Sequence, residues 1–303
     1  MNLPVAYDHA EPLAFGGAKP ETHSFDKSAA AILPIPFDRT TTYVPGTRNG
    51  PREILTASSH LELWDEELGA DVHGVGIFTL PEMELPFGDL AAVMEEIQRV
   101  TAALFRRDKF LIVLGGEHSI TPPIVAAAAA CHDKLSVLQL DAHADLRDDY
   151  MGTPHNHACA MRRSLEHAPV TQVAIRSLSP EEAEAVPALN SKIFYDFDMR
   201  RDPNWISRVV DTLSDNVYIT IDVDGFDPAI MPATGTPEPG GLSWYEATAL
   251  LRATFERRRV VGCDIVELCP VPGMAAPNFL CAKLVYKLIT YKFAIGRSGD
   301  RVK

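Results

Sequence analysis

The chain has 303 residues, 46% of them hydrophobic, and a formal net charge of −13. This composition can fill a large core and excludes a disordered chain. The negative balance excludes general affinity for nucleic acid or anionic membranes and suits a cationic small molecule. Five cysteines (Cys131, Cys159, Cys263, Cys269 and Cys281) without a C-x-x-C spacing point to a reducing compartment rather than a disulfide framework.

Residues 1–28 are polar and mixed and read as an N-terminal surface arm, packed on the body or on another subunit. They lack the basic start and apolar core of a signal peptide. No apolar stretch approaches the roughly 20 residues that span a bilayer, so a cytoplasmic protein is expected. Beyond the arm, strands are predicted at Ala31–Pro36, His73–Leu80, Phe110–Gly115, Leu135–Asp141, Val170–Arg176, Lys192–Tyr195, Asn216–Asp222 and Val260–Val266. Several are rich in Val and Ile without strict alternation, as strands covered on both faces should be. Between them, Asp89–Arg107 carries an apolar stripe behind a capping Asp89, and Ile124–Ala130 reads as a buried helical segment. Ser243–Arg258 opens with the capping-box pair Ser243 and Glu246, and Asn278–Phe293 repeats the stripe. Alternating strands and helices predict a three-layer α/β/α fold with a mostly parallel sheet of about eight strands. With no internal repeat or linker, residues 1–303 read as one domain.

In such folds chemistry gathers beyond the carboxyl ends of the strands. Four predicted strands end in polar clusters: Gly115-Gly-Glu-His118, Asp141-Ala-His143-Ala-Asp145, Asp222-Val-Asp224, and Glu267. Alternate residues of an extended segment point the same way, so Asp141, His143 and Asp145 share a side, as do Asp222 and Asp224. Each element alone is also what a solvated acidic loop or an ordinary turn would carry. His118 follows a double glycine that allows close backbone approach, and Ser119 is placed to cap the next helix. Together, two His and four Asp form a hard, oxygen-rich set able to hold two cations that share a water. Carboxylate-dominated donors favour manganese or magnesium over zinc, and the imidazoles tilt the choice towards manganese, with nickel or cobalt also able to fit. A metallophosphoesterase fits less well. Asn156-His157 lacks the expected glycine context, and the loops carry Asp148, Asp149, Asp227, Glu238 and Glu267 where a phosphate would want cations.

The stretches GGEHS (115–119), DAHADLRD (141–148), HACAMRR (157–163) and TIDVDGFDPA (220–229) resemble the signatures of the ureohydrolase family, which includes the arginases and agmatinases. TTYVPGTRNGPREI (41–54) and DIVE (264–267) are similar to further family segments, and the chain most resembles an agmatinase. The resemblance implies two Mn2+ ions per subunit, with His118 and Asp145 on one, His143 and Asp224 on the other, and Asp141 and Asp222 bridging. It also implies a trimer or hexamer, and attack of hydroxide on a guanidinium carbon to give urea and an amine. Asp145 would orient the hydroxide, His157 would shuttle a proton to the leaving amine, and Glu267 would pair with the guanidinium. His155 reads first as a solvent-facing loop histidine, with a share in the proton shuttle of His157 as the alternative. The loop Leu146–Pro154 lacks the Asn/Ser-Gly-Asn pattern with which arginases bind an α-amino acid, which favours agmatine, to putrescine and urea in polyamine biosynthesis, over arginine. Asp148, Asp149 or Tyr150 are then candidates for receiving the amine. Arg147 sits poorly with a wholly cationic substrate, which keeps guanidinobutyrate or guanidinopropionate open. A non-catalytic regulatory member should have lost a ligand or His157, and none is missing.

Overall fold

The apolar runs form one sheet of eight strands in a computed structural model that describes residues 13–17 and 24–295. The rest of the predicted arm, residues 1–12 and 18–23, and the C-terminal residues 296–303 lie outside the described residues. The strands are β1 (Ala30–Ile35), β2 (Ile77–Thr79), β3 (Phe110–Gly115), β4 (Leu135–Leu140), β5 (Val170–Ile175), β6 (Ser191–Tyr195), β7 (Asn216–Asp222) and β8 (Arg259–Val266). Every pairing is parallel, in the order β2-β1-β3-β8-β7-β4-β5-β6. The helices are α1 (Gly50–Ser58), α2 (Leu90–Phe105), α3 (Thr121–Cys131), α4 (Ala160–Ser164), α5 (Pro180–Ala185), α6 (Asp196–Met199), α7 (Trp205–Thr212), α8 (Trp244–Arg257) and α9 (Ala275–Thr290). None of them is long and apolar enough to cross a membrane.

Side chains alternate across each strand and feed two cores. Ile32 and Ile112 join Ile54 of α1, Val209 of α7, Leu250 of α8 and Leu284 of α9 on one face. Leu33 and Val113 join Val93 of α2, Ile124 of α3 and Met161 of α4 on the other. Both faces are therefore covered, which is why these strands read as continuous apolar runs. The result is the three-layer α/β/α architecture expected from the sequence. Phe15 and Phe25, in the described parts of the arm, are buried in these two cores.

Local signals hold where the cap residue was explicit. Asp89 accepts the Ala91 amide before α2, and Ser243 and Glu246 form the reciprocal capping box of α8. Three expectations need correction. His73–Val75 is a 3-10 turn rather than the start of β2, and Gly76, with a positive φ, separates that turn from the strand. Pro36, Leu80, Asp141 and Arg176 lie just beyond their strands. Ser119 does not cap α3: its hydroxyl donates to Glu117, and α3 begins Thr121-Pro-Pro, whose prolines have no amide to cap.

Chain order places the chemistry. After β3 the chain crosses through α3 to β4, leaving two places in the sheet that β8 and β7 fill later. The four strands whose tips carry His118, Glu267, Asp222 and Asp141 thus lie side by side as β3-β8-β7-β4.

Candidate metal centre and active site

Asp141, first residue past β4, is fully buried and splits its two oxygens between two histidines. Its Oδ2 lies 3.1 Å from His118 Nδ1, and its Oδ1 lies 3.6 Å from His143 Nδ1. His118 Nδ1 is also 3.1 Å from Asp145 Oδ2 and 3.4 Å from Asp222 Oδ2. His143 Nδ1 is 2.9 Å from Asp224 Oδ2. Two donor groups result, each with its ligand atoms within 4.8 Å of one another: His118, Asp141 and Asp145, and Asp141, His143 and Asp224. Asp222 lies beside the first group rather than within it, its Oδ1 taking the Asp224 amide at 2.9 Å. The six residues predicted from three separate stretches converge at one place. Glycine makes the approach possible, since a Cβ at Gly225 would lie 2.8 Å from the Asp141 amide nitrogen.

The ring of His118 is held from behind. Thr220 Oγ1 donates to Asp264 Oδ1 at 2.5 Å, which leaves its oxygen to accept from His118 Nε2 at 2.8 Å. Nε2 thereby carries a proton, and Nδ1 faces three carboxylates. Nδ1 is buried with no hydrogen-bond partner. Burial opposes a charged ring, but Asp141, Asp145 and Asp222 overcome it and raise the imidazole well above its usual range, so the cluster calls for positive charge at this nitrogen, either a proton or a metal ion. With metal in place of those protons, four ionised aspartates and two neutral imidazoles would carry −4, the complement of two divalent ions.

A family model for the arginase family matches residues 28–290. The chain belongs to the arginase family. It is 41% identical over 276 residues to the N(1)-aminopropylagmatine ureohydrolase of Synechocystis sp., covering 88% of this chain and 90% of that one. It is 34% identical over 253 residues to the agmatinase of Bacillus cereus, covering 82% and 86% respectively. The crystal structure of the agmatine ureohydrolase of Thermoplasma volcanium superposes with a TM-score of 0.82 at 33% identity, covering 91% of this chain and 93% of that one. The chain is thus an arginase-family ureohydrolase, a hydrolase by kinship. The family depends on a binuclear metal centre, and the His/Asp cluster supplies donors for one.

Crowding of like charges shows in the proton affinities. Burial, then the charge of Asp141, pushes Asp145 up to about 7. Burial and the charges of Asp224 and Asp141 hold Asp222 well above the usual carboxylate range. Burial opposes the charged form of His143, but Asp224 and Asp141 overcome it and raise the imidazole to about 12. Asp145 and Glu267 both adopt left-handed backbone conformations, with φ of 54° and 66°. Non-glycine residues rarely take that region, and it concentrates at functional positions. Glu267 is locked there by its amide donating to Gly116 O at 2.7 Å and by its Oε1 accepting the His118 amide at 2.7 Å. Burial, then the charge of Glu117, holds its carboxyl well above the usual range.

His157 stands near the mouth, its Nε2 3.4 Å from Thr42 Oγ1. Burial, then the charges of His143 and His118, lower it to about 4, so the ring is neutral at physiological pH. Its amide donates to Thr40 Oγ1 at 3.0 Å. Thr40 in turn donates its amide and its hydroxyl to the buried Glu117, both at 2.7 Å. His155 lines a separate cleft among Glu95, Arg163 and Glu166, in keeping with its reading as a bystander.

Two of the three candidates for the substrate's amine are engaged elsewhere. Asp148 pairs with Arg162 and Arg163, and Tyr150 carries the Arg147 guanidinium 4.5 Å above its ring. Arg147 is thus occupied as well, which removes the objection it posed to a cationic substrate. Sequence reasoning passed over the supports: Gln139, which donates to Asp141 Oδ2 at 2.6 Å, together with Thr220, Asp264, Glu117 and Arg176. For Gln139, Thr220 and Asp264, polar residues inside strands buried on both faces were the available signal, since such groups persist only when hydrogen-bonded; Glu117 and Arg176 lie outside the strands and offered none.

Proposed function

We propose that this chain hydrolyses the guanidinium group of a guanidinoalkylamine to urea and an amine, with agmatine the simplest substrate. The observation that carries the reading is the adjacency of the six-donor His/Asp cluster to Glu267, a buried carboxylate held in a strained conformation one hydrogen bond from His118. In this reading His118, Asp141, Asp145, His143, Asp222 and Asp224 hold two Mn2+ ions. When bound, such a pair acidifies a water so that it is hydroxide at neutral pH.

The protein's own groups then divide the work. Glu267 pairs with the planar guanidinium, whose N–H groups would be costly to bury unpaired. Asp145 accepts a hydrogen bond from the attacking oxygen and turns its lone pair towards the guanidinium carbon. Collapse of the tetrahedral intermediate breaks the bond to the substrate's chain nitrogen. The neutral ring of His157, on the loop hung from Thr40, relays the proton that lets that nitrogen leave as an amine.

A second substrate is favoured by one observation. The 41% identical relative is named for N(1)-aminopropylagmatine, which is agmatine carrying a further aminopropyl group on its amine. Manganese-loaded protein should be assayed for urea release from agmatine, N(1)-aminopropylagmatine, arginine, 4-guanidinobutyrate and formiminoglutamate. The proposal expects the highest kcat/KM for one of the first two. No urea from either, with two metals bound per chain, overturns it.

A further inference from the structure

One loop forms a wall of the site from end to end. Thr234 pairs with Leu268, the residue after Glu267, and a Cβ built on Gly235 would lie 4.0 Å from Glu267 Oε2. Thr236 Oγ1 is 3.5 Å from Asp224 Oδ2, and Glu238 Oε1 is 3.9 Å from His143 Nε2. The loop therefore starts beside the guanidinium-side carboxylate and ends beside the outward edge of His143. Glu238 stands between Pro237 and Pro239, which restrict its backbone. Arg176 fastens the same stretch, donating to the carbonyls of Asp224 at 2.6 Å, Glu238 at 3.1 Å and Pro239 at 3.1 Å.

The Glu238 side chain is not consumed by these contacts. A separation of 3.9 Å from His143 is too long for a hydrogen bond. At 38% exposure the carboxylate reaches the rim while staying partly shielded from water. Three residues of extended chain span at most about 10 Å, and the amine of a four-carbon guanidinoalkylamine lies about 7 Å from its guanidinium carbon by ordinary bond lengths. Asp148 is spent on Arg162 and Arg163 and Asp149 is exposed on another loop, so Glu238 is the carboxylate this wall offers at the far end from Glu267.

We infer that Glu238 receives the ammonium of the substrate's tail and sets the preference for amine-tailed over carboxylate-tailed guanidino compounds. The inference rests on the hydrolase reading above. The shared feature of agmatine and its aminopropyl derivative is a protonated nitrogen four carbons from the guanidinium, and Glu238 binds that nitrogen in both.

The test uses Glu238→Gln and Glu238→Arg in manganese-loaded full-length protein, with agmatine as substrate and 4-guanidinobutyrate as substrate or competitive inhibitor. Glu238→Gln should raise KM for agmatine about 10- to 100-fold, the usual worth of a hydrogen bond to a charged group, with kcat less affected. Metal content should stay at two ions per chain, and 4-guanidinobutyrate should bind as well or better, most of all to Glu238→Arg. An unchanged KM for agmatine would remove Glu238 from the tail site. Equal losses for both compounds, together with lost metal, would instead make Glu238 a support for His143. Wild-type protein that releases urea from 4-guanidinobutyrate but not from agmatine would overturn both the preference and the residue's role. Wild-type protein that releases none from either compound would sink the hydrolase reading itself.

Discussion

Two clusters of charge, each built around buried carboxylates, are balanced in opposite ways in this molecule. On α9, Lys287 Nζ lies 2.8 Å from Asp65 Oδ2 and 2.7 Å from Glu67 Oε2, and Arg252 Nη1 reaches Glu67 Oε1 at 3.0 Å. Two carboxylates meet two cations, and Tyr291 adds its hydroxyl to Glu67 at 2.7 Å. Burial disfavours the charged form of Lys287, but its bonds to Asp65 and Glu67 outweigh that and raise its pKa. At the strand tips, four aspartates face two histidines, with Glu267 alongside and no Lys or Arg among the donors. The first cluster is complete in the sequence; the second is complete only with cations from outside. The difference separates a structural ion network from a binding site more sharply than burial does, since Lys287 and Asp65 are as buried as the aspartates at the strand tips.

The largest expected effect breaks the second cluster. His118→Ala removes the nitrogen that faces three carboxylates and should cost one metal in preference to the other. Urea release should fall roughly 100- to 1000-fold or more, the scale on which a site loses a fixed electrostatic stabiliser. Metal analysis after dialysis would show one ion per chain, and the metal-free melting temperature should stay near that of wild type. Equal retention of both metals would contradict the ligand role. Lys287→Met does the reverse in the first cluster. It strands Asp65 as a buried uncompensated charge and should destabilise the fold by about 3–5 kcal/mol in denaturant unfolding. Folded Lys287→Met should still bind two metals, and preferential metal loss would show that the two clusters are coupled.

A change behind the metal centre sharpens the same comparison. Thr220→Val removes the hydroxyl that links His118 Nε2 to Asp264 and leaves both atoms short of a partner. Supports of this kind typically contribute 10- to 100-fold in metal affinity, so titration of the metal-free variant with Mn2+ should show a weakened first site. Thr220→Ser should restore it. Affinity unchanged in Thr220→Val would mean that the carboxylates alone orient His118.

The donors were legible in the sequence, while their supports were not, and the reason is physical. Asp141, His143 and Asp145 share a side because strands repeat every two residues, and the Val- and Ile-rich run before them marks where the strand ends. Glu267 and His157 were placed only by resemblance to relatives. Thr220, Tyr218 and Thr121 all donate to Asp264, but the pairings depend on β7 and β8 having entered the sheet beside β3, an order that local periodicity does not encode. Arg176 reads as an ordinary surface arginine after β5, and only the folded loop shows its guanidinium spent on backbone carbonyls.

Glu117 is balanced in a third way, with hydrogen bonds and no counter-ion. Its carboxylate accepts from the Thr40 amide, the Thr40 hydroxyl and Ser119 Oγ, and burial raises it to about 7. It sits where Gly116 passes so close to Phe37 that a Cβ would fall 1.9 Å from the Phe37 carbonyl oxygen. The loop after Phe37 is thereby pinned to the tip of β3, and Thr40 Oγ1 passes the constraint on to the His157 amide. Thr40→Val cuts both links made by that hydroxyl and keeps the shape. The expected result is the smallest of the set: kcat lower by about 10-fold, in line with one or two lost hydrogen bonds, with KM and metal content little changed. Hydrogen exchange should quicken at the 157 amide and across residues 38–46, and Thr40→Ser should recover both exchange and rate. If kcat falls while exchange at 157 stays slow, the loss comes from Thr40 itself rather than from a misplaced His157, and a charge satisfied only by hydrogen bonds would be shown not to govern the mouth of the site.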